Sequence, residues 1–176
     1  MDKPKIYLET TMFSFYYEER TAPLYLEHKA LVHRIFELIK ADVYEPYTSL
    51  FTIDEIMNEP DLKKRECMKA LVSDYNITVL PITMETRLLA ALYIHERAIS
   101  PIYTTDAAHI AITTLNGLDF IVSLNFTHIV RPWTIEKVRL VNARESYQAI
   151  GIYTPMEVLE IYEDSTRLPE RSQNSQ

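Results

Sequence analysis

Apolar positions along this chain switch between two spacings, and the switching outlines its elements. Residues 5–9 are a short apolar run, which predicts a buried strand. From Leu24 to Lys40, Leu31, Ile35, Leu38 and Ile39 recur at helical spacing and predict an amphipathic helix. Val43 to Ser49 reads as a second strand, and a helix follows from near Thr52. Glu59-Pro60 breaks that helix, because proline lacks an N–H and pushes the residue before it out of the helical region. Asp61 to Tyr75 resumes as helix, with Lys63, Lys64, Arg65 and Lys69 on its wet side. Ile77 to Leu80 is a strand, and Met84 to Ala98 a helix with Leu88, Ala91, Leu92 and His95 in register. Thr105 to Leu115 is a helix stopped by Asn116-Gly117, a favoured C-terminal pair. Asp119 to Leu124 is nearly all apolar, as a parallel strand covered on both faces must be. Residues 135–146 read as helix, Ala149 to Tyr153 as a last strand, and Pro155 opens a helix to about Tyr162.

Strands that alternate with helices predict an α/β fold, a three-layer α/β/α sandwich around a mostly parallel sheet. No internal repeat is visible, so residues 1–162 read as one domain and the polar stretch 163–176 as a flexible tail. In such sheets ligands bind beyond the carboxyl ends of the strands. That singles out Glu9, which closes the first strand.

Composition narrows the chemistry. The 176 residues suit a single core, and the formal charge of −7 argues against non-specific coating of nucleic acid or an anionic membrane. The single cysteine, Cys67, forbids an intrachain disulfide and points to a reducing cytoplasm; it shares a helical face with Ala70 and Leu71 and reads as core. No apolar run is long enough to span a membrane, and the first residues lack the basic start and apolar run of a secretory signal. The two glycines, Gly117 and Gly151, stand too far apart for a phosphate-cradling loop.

Four segments bring oxygen ligands to the carboxyl edge of the sheet. Glu9 ends the first strand; Glu55 lies in the first turn of the helix in "TSLFTIDEI"; Asp106 opens the helix of "TTDAAHIA"; Asn125 follows the strand in "FIVSLNFTHI". Each has a bland reading as well. Thr52 and Glu55 fit a capping box, Asp106 suits a helix macrodipole, Glu9 a solvated strand end, and Asn125 a turn. Their joint placement is what carries weight. Two charges ~4 Å apart repel by about 4 kcal/mol at an effective dielectric of ~20, and a hard divalent cation relieves that repulsion. Mg²⁺ or Mn²⁺ prefers oxygen ligands, and such a site hydrolyses phosphodiesters.

Three stretches, "IYLETTMFSFYY", "YTSLFTIDEIMNEP" and "TTDAAHIAITTLNGLDFIVSLNFTHI", give the chain a resemblance to the PIN-domain family and within it to the VapC-like ribonuclease toxins. The closing "IGIYTPMEVLE" resembles the tail of one subgroup, and the similarity spans roughly residues 5–160. The resemblance implies a PIN-like sandwich and Mg²⁺- or Mn²⁺-dependent cleavage of RNA. Carried over by position, it implies catalytic and metal-binding roles for Glu9, Glu55, Asp106 and Asn125. Thr10 and Ser49 become hydroxyls that orient carboxylates. It also implies a small antitoxin protein that covers the pocket, and a homodimer, for which the apolar helix 84–98 offers a face. Glu9 and Asn125 stand where the family usually has Asp. Glu reaches one methylene further, and Asn offers a neutral oxygen in place of a charge. Asp119 does not substitute, since it lies at the other end of its strand, ~20 Å away.

Other residues weigh less. His109, one turn after Asp106, is placed to bond a site carboxylate or a phosphate, or simply to pack beside the pocket. His28, His33, His95 and His128 show no zinc spacing, and no Ser or Cys has a partner base. Phe13, Phe15, Tyr16 and Tyr17 suit stacked bases, a core, or a dimer face. Arg131, Lys137, Arg139 and Arg144 suit RNA phosphates or solvent. Two rival readings stay open: a PIN-like protein with a weakened site that binds RNA or a protein without cutting, and a structure-specific DNA nuclease, for which the chain is short.

Overall fold

The computed structural model describes residues 3–167. In chain order its elements are β1 (Lys5–Leu8), α1 (Thr10–Tyr16), α2 (Pro23–Lys40), β2 (Glu45–Ser49), α3 (Leu50–Met57) and α4 (Leu62–Asp74). There follow β3 (Thr78–Leu80), α5 (Met84–His95), α6 (Thr104–Leu115), β4 (Phe120–Val122), α7 (Pro132–Arg144), β5 (Gly151–Tyr153) and α8 (Pro155–Arg167). The five strands form one sheet in the order β3-β2-β1-β4-β5, and every pairing is parallel.

Alternation along β1 builds the three layers. Ile6 and Leu8 point to one face, where they meet Phe13 of α1, Val32, Ile35 and Phe36 of α2, Met68 and Leu71 of α4, and Val158 of α8. Tyr7 points to the other, among Leu89 and Tyr93 of α5, Ala107, Ile110 and Ala111 of α6, and Val138 of α7. The central strands β1 and β4 are covered on both sides, which is why they carry almost no polar residue. The chain leaves β1 toward β2 on one side and reaches β4 on the other, so the carboxyl end of β1 is the point where strand order reverses.

Several local expectations shift. Strand β1 stops one residue early, because Glu9 caps a helix unforeseen in the sequence: its side chain accepts the Thr11 N–H, and α1 buries Met12 and Phe13. The Thr52–Glu55 capping box does not form; α3 begins at Leu50, Ser49 holds the cap position, and Thr52 is buried inside the helix. On α5 the buried stripe is Leu89, Ala90 and Tyr93, one residue off the expected register, so Leu88, Ala91 and His95 face solvent. Cys67 is half-buried, while Met68 and Leu71 carry the inner face of α4. Helix α6 does end at Asn116-Gly117, where Gly117 takes the left-handed conformation (φ 61°) that a side chain disfavours. Helix α8 runs past Tyr162 to Arg167; the rest of the expected tail, 168–176, lies outside the described residues. No helix among the described residues is long and apolar enough to cross a membrane.

Candidate functional site

The carboxyl ends of β1 and β2, the second turn of α3, where Glu55 lies one turn later than the sequence suggested, and the first two turns of α6 converge on one acidic cluster. Glu9, Glu55 and His109 each bring a potential ligand atom to within 4.8 Å of the other two. Glu9 arrives as the residue that ends β1 and caps α1. Its Oε2 accepts from the Thr11 N–H at 3.1 Å, the Thr11 hydroxyl at 2.6 Å and the Ser123 hydroxyl at 2.7 Å. The Thr11 hydroxyl in turn accepts the Leu124 N–H at 2.8 Å, so α1 and the end of β4 clamp the carboxylate between them.

Glu55 is held from two sides. Thr10 donates to its Oε1 at 2.7 Å, and His109 Nε2 donates to the same oxygen at 2.6 Å. His109 is fully buried, and its Nδ1 lies 2.6 Å from the Tyr7 hydroxyl, which lies 2.7 Å from Ser49 Oγ. Both ring nitrogens therefore have a hydrogen-bond partner. The chain Glu55–His109–Tyr7–Ser49 is fully satisfied with a doubly protonated ring that donates to Glu55 and Tyr7, and Tyr7 donates to Ser49.

The charges agree with this. Burial works against a cation at His109, but the Tyr7 oxygen, the hydrogen bond to Glu55 and the carboxylates of Glu9 and Glu55 outweigh it, and the imidazole is pushed up to about 10. Burial also disfavours ionised Glu55, yet the bond and charge of His109 and the bond from Thr10 leave its pKa below the usual value. Glu9 and Asp106 go the other way: burial raises both, and the negative charge of Glu55 adds to it, against the pull of His109.

Asp106 sits in the first turn of α6, half-buried. It does not join the three-residue group, but it shares the pocket's field with His109 and Glu55. Its direct partner is Asn125, whose Nδ2 donates to Asp106 Oδ1 at 3.2 Å. Here the structure reverses an expectation. Asn125 Oδ1 accepts the His128 N–H at 3.0 Å, and a backbone N–H demands an acceptor, so the amide oxygen is committed to the loop and the NH₂ faces the acid. Asn125 thus presents a donor to the pocket where a neutral oxygen ligand was expected.

The supporting hydroxyls divide in the same way. Thr10 orients a carboxylate directly; Ser49 acts through Tyr7 and His109. Tyr7, Thr11 and Ser123 were not singled out in the sequence. A polar residue in an otherwise apolar central strand was the available signal for Tyr7, and a serine closing β4 beside Asn125 the signal for Ser123. Of the aromatic run, Phe13 is fully buried and packs edge-on against Phe36, while Tyr16 stacks on His33 and bonds the Tyr75 hydroxyl; the cluster belongs to the core layer of α1, α2 and α4.

The Glu9, Glu55 and His109 group has the spacing to hold a metal ion. Among the described residues every hydrogen bond to Glu9 goes to Oε2 and every one to Glu55 goes to Oε1. Glu9 Oε1 and Glu55 Oε2 keep their lone pairs, inside a pocket where two acids are already held above their usual pKa by burial. His109 belongs to the group geometrically, and to act as a ligand it would have to give up the proton it shares with Glu55. Comparison with models of known protein families and with curated protein sequences gives no match to this chain.

Proposed function

We propose that the protein is a divalent-metal-dependent ribonuclease, the toxin of a toxin–antitoxin pair, with Mg²⁺ or Mn²⁺ as cofactor. The observation that carries this reading is the pair of unfilled carboxylate oxygens on Glu9 and Glu55, gathered from separate segments at the switch point of an all-parallel sheet. The resemblance of the same segments to PIN-domain ribonucleases supplies the substrate class. Glu9, Glu55 and Asp106 would hold the ion. When bound, it supplies a water of lowered pKa and neutralises charge on a phosphodiester.

The chain's own residues do the rest. Thr11 and Ser123 fix the Glu9 carboxylate through Oε2 and leave Oε1 without a hydrogen bond among the described residues. His109 and Thr10 do the same for Glu55, and the imidazolium keeps Glu55 ionised at neutral pH. Asn125 steadies Asp106 with a donated hydrogen bond. Tyr7 and the apolar face of α6 exclude water from behind His109.

Cleavage of single-stranded RNA with Mg²⁺ or Mn²⁺, wild type beside Asp106→Asn and Glu55→Gln, tests the reading. Metal-dependent product from wild type alone is expected. Equal product from all three, or none from wild type, overturns it. Asn125 favours one rival, a protein that binds RNA or a partner without cutting, because its NH₂ removes an oxygen from the ligand set. That rival predicts no rise in melting temperature on adding Mn²⁺, whereas the nuclease reading predicts a rise.

A further inference from the structure

The four cations singled out in the sequence separate once folded. Arg139 pairs with Glu136, and Arg144 with Glu96 and Glu145, so both are neutralised on the outer surface of α7. Arg131 is different. Its Nε donates to Thr134, and it makes no ion pair among the described residues. Arg97, the residue just past the C-cap of α5, makes none either. These two arginines line one open groove of about 480 Å³.

Aromatic surface adjoins them. Trp133 is 55% exposed, anchored by its Nε1–H to the Arg97 carbonyl at 2.8 Å, with the Lys137 ammonium 5.0 Å from its ring centre. Tyr103 and His128 stack with ring centres 3.6 Å apart. Tyr103 caps α6, three residues before Asp106; His128 follows Asn125 by three. Groove-lining Pro101 lies two residues before Tyr103 and groove-lining Arg131 three after His128, so the stacked pair joins the two segments that lead along the chain from the groove to Asp106 and Asn125. Hydrogen bonds tie the loop down: the Thr134 hydroxyl bonds the His128 carbonyl at 2.9 Å, and the Asn125 carbonyl takes the N–H groups of Ile129 and Val130.

We infer that this groove is the track for a single-stranded RNA segment flanking the cut: Arg97, Arg131 and Lys137 meet its phosphates, and Trp133 and the Tyr103–His128 pair stack its bases. The inference rests on the ribonuclease reading above for its substrate class. It also meets a difficulty of that reading. A chain of charge −7 repels a polyanion, so a surface where cations are left unneutralised beside exposed rings is where an RNA strand gains affinity. A duplex, whose bases are stacked on one another, gains nothing from the rings.

The test is binding of a fluorescent single-stranded RNA to the whole chain in EDTA, where no cleavage occurs. The double variant Arg97→Ala/Arg131→Ala is expected to weaken binding about tenfold near 0.1 M salt and to flatten the log–log salt slope by about 1.4, two phosphates at ~0.7 each. Trp133→Ala is expected to weaken binding about 5- to 100-fold, and Trp133→Phe, which loses the tether but keeps a ring, far less. Arg139→Ala/Arg144→Ala changes net charge equally and should bind as wild type does. Unchanged binding by the first pair, an equal loss in both pairs, or no binding by wild type overturns the inference; unchanged binding would leave an acidic protein segment as the groove's occupant. RNA binding through the groove with no Mn²⁺-dependent cleavage would sink the nuclease reading and spare the track; cleavage indifferent to the groove variants would do the reverse.

Discussion

Helix α6 carries two buried polar clusters, centred on His109 and on Thr114, and they are built on opposite principles. At its first turns, His109 joins Glu55, Glu9, Tyr7 and Ser49. At its end, Thr114 joins Tyr93 of α5 and Asn142 of α7: the Tyr93 hydroxyl donates to Asn142 Oδ1 at 2.6 Å and lies 3.0 Å from Thr114 Oγ1, which also takes Asn142 Nδ2 at 3.2 Å. The second cluster is neutral and closed, with each polar atom answered by another. Burial raises the pKa of Tyr93, so its hydroxyl stays protonated. It welds three helices into one layer and offers nothing to a ligand. The first cluster is charged and open, with carboxylate oxygens left over and two acids held out of their ordinary range. A buried polar network with no spare valence is a structural device; one that keeps spare valences has a stability cost that only a ligand offsets.

Breaking the open cluster should show most strongly in chemistry. Glu55→Gln is expected to lower Mn²⁺-dependent RNA cleavage by about 10²–10³-fold, the scale at which removing one charge-stabilising group acts, and to abolish the Mn²⁺-induced rise in melting temperature. Asn142→Ala should leave both intact. A cleavage rate that falls equally in the two variants would erase the distinction between the clusters.

His109 tests the same contrast through stability. His109→Ala strands Glu55 and the Tyr7 hydroxyl. Losing one partner of a buried ion pair costs about 3–5 kcal/mol; the Glu55 side chain is 38% exposed, so solvent screening brings the expectation to about 2–4 kcal/mol in urea unfolding. The pH dependence has a definite sign. The folded-state pKa of His109 is raised from 6.5 to about 10, so its stabilisation is fully present below 6.5 and drains away as pH rises through 10. Wild type should lose melting temperature across that window, and His109→Gln should lose less. A flat wild-type profile from pH 6.5 to 10 would mean the ring is neutral and the Glu55–His109 pair is not ionic.

The closed cluster should answer in stability alone. Asn142→Ala leaves the Tyr93 hydroxyl without its acceptor and is expected to cost about 1–3 kcal/mol, the penalty of a buried polar group left unsatisfied. Its metal response should match wild type.

How much of this was legible in the chain differs between the two regions. Strand and helix alternation sufficed for the α/β sandwich, because Ile6, Leu8 and Ile121 have to be apolar to sit under both helical layers. Glu9, Glu55, Asp106 and Asn125 were placed at one sheet edge by topology, since strand ends and helix starts are placed before any contact is known; the structure's tight group is Glu9, Glu55 and His109, a histidine for which the sequence left bonding and mere packing both open. What was not legible is pairing. That Asn125 turns its NH₂ and not its oxygen inward depends on the His128 N–H, a partner fixed by loop geometry. The outward turn of Leu88 depends on which side of α5 meets α6, a one-residue rotation to which periodicity in so apolar a helix is blind. The closed cluster left no trace in the sequence, because Tyr93, Thr114 and Asn142 lie on three helices with no motif between them.

The finest test of the comparison is the smallest. Glu9 carries a raised pKa because burial disfavours its charge, so its protonated form is favoured by folding: that contribution is present below the ordinary value of 4.5 and is lost as pH rises through the folded value. At neutral pH, without metal, the ionised side chain is therefore a net cost. Glu9→Gln keeps an oxygen for Thr11 and Ser123 and turns its NH₂ toward the open side, where the acids of the pocket accept it. The variant is expected to melt above wild type at pH 7 without metal. The gap should close as pH falls toward 4.5. Saturating Mn²⁺ should reverse the order, raising wild type and leaving Glu9→Gln where it was. A Glu9→Gln protein that melts lower than wild type at pH 7 without metal would place Glu9 with the closed cluster, as a residue the fold needs for itself.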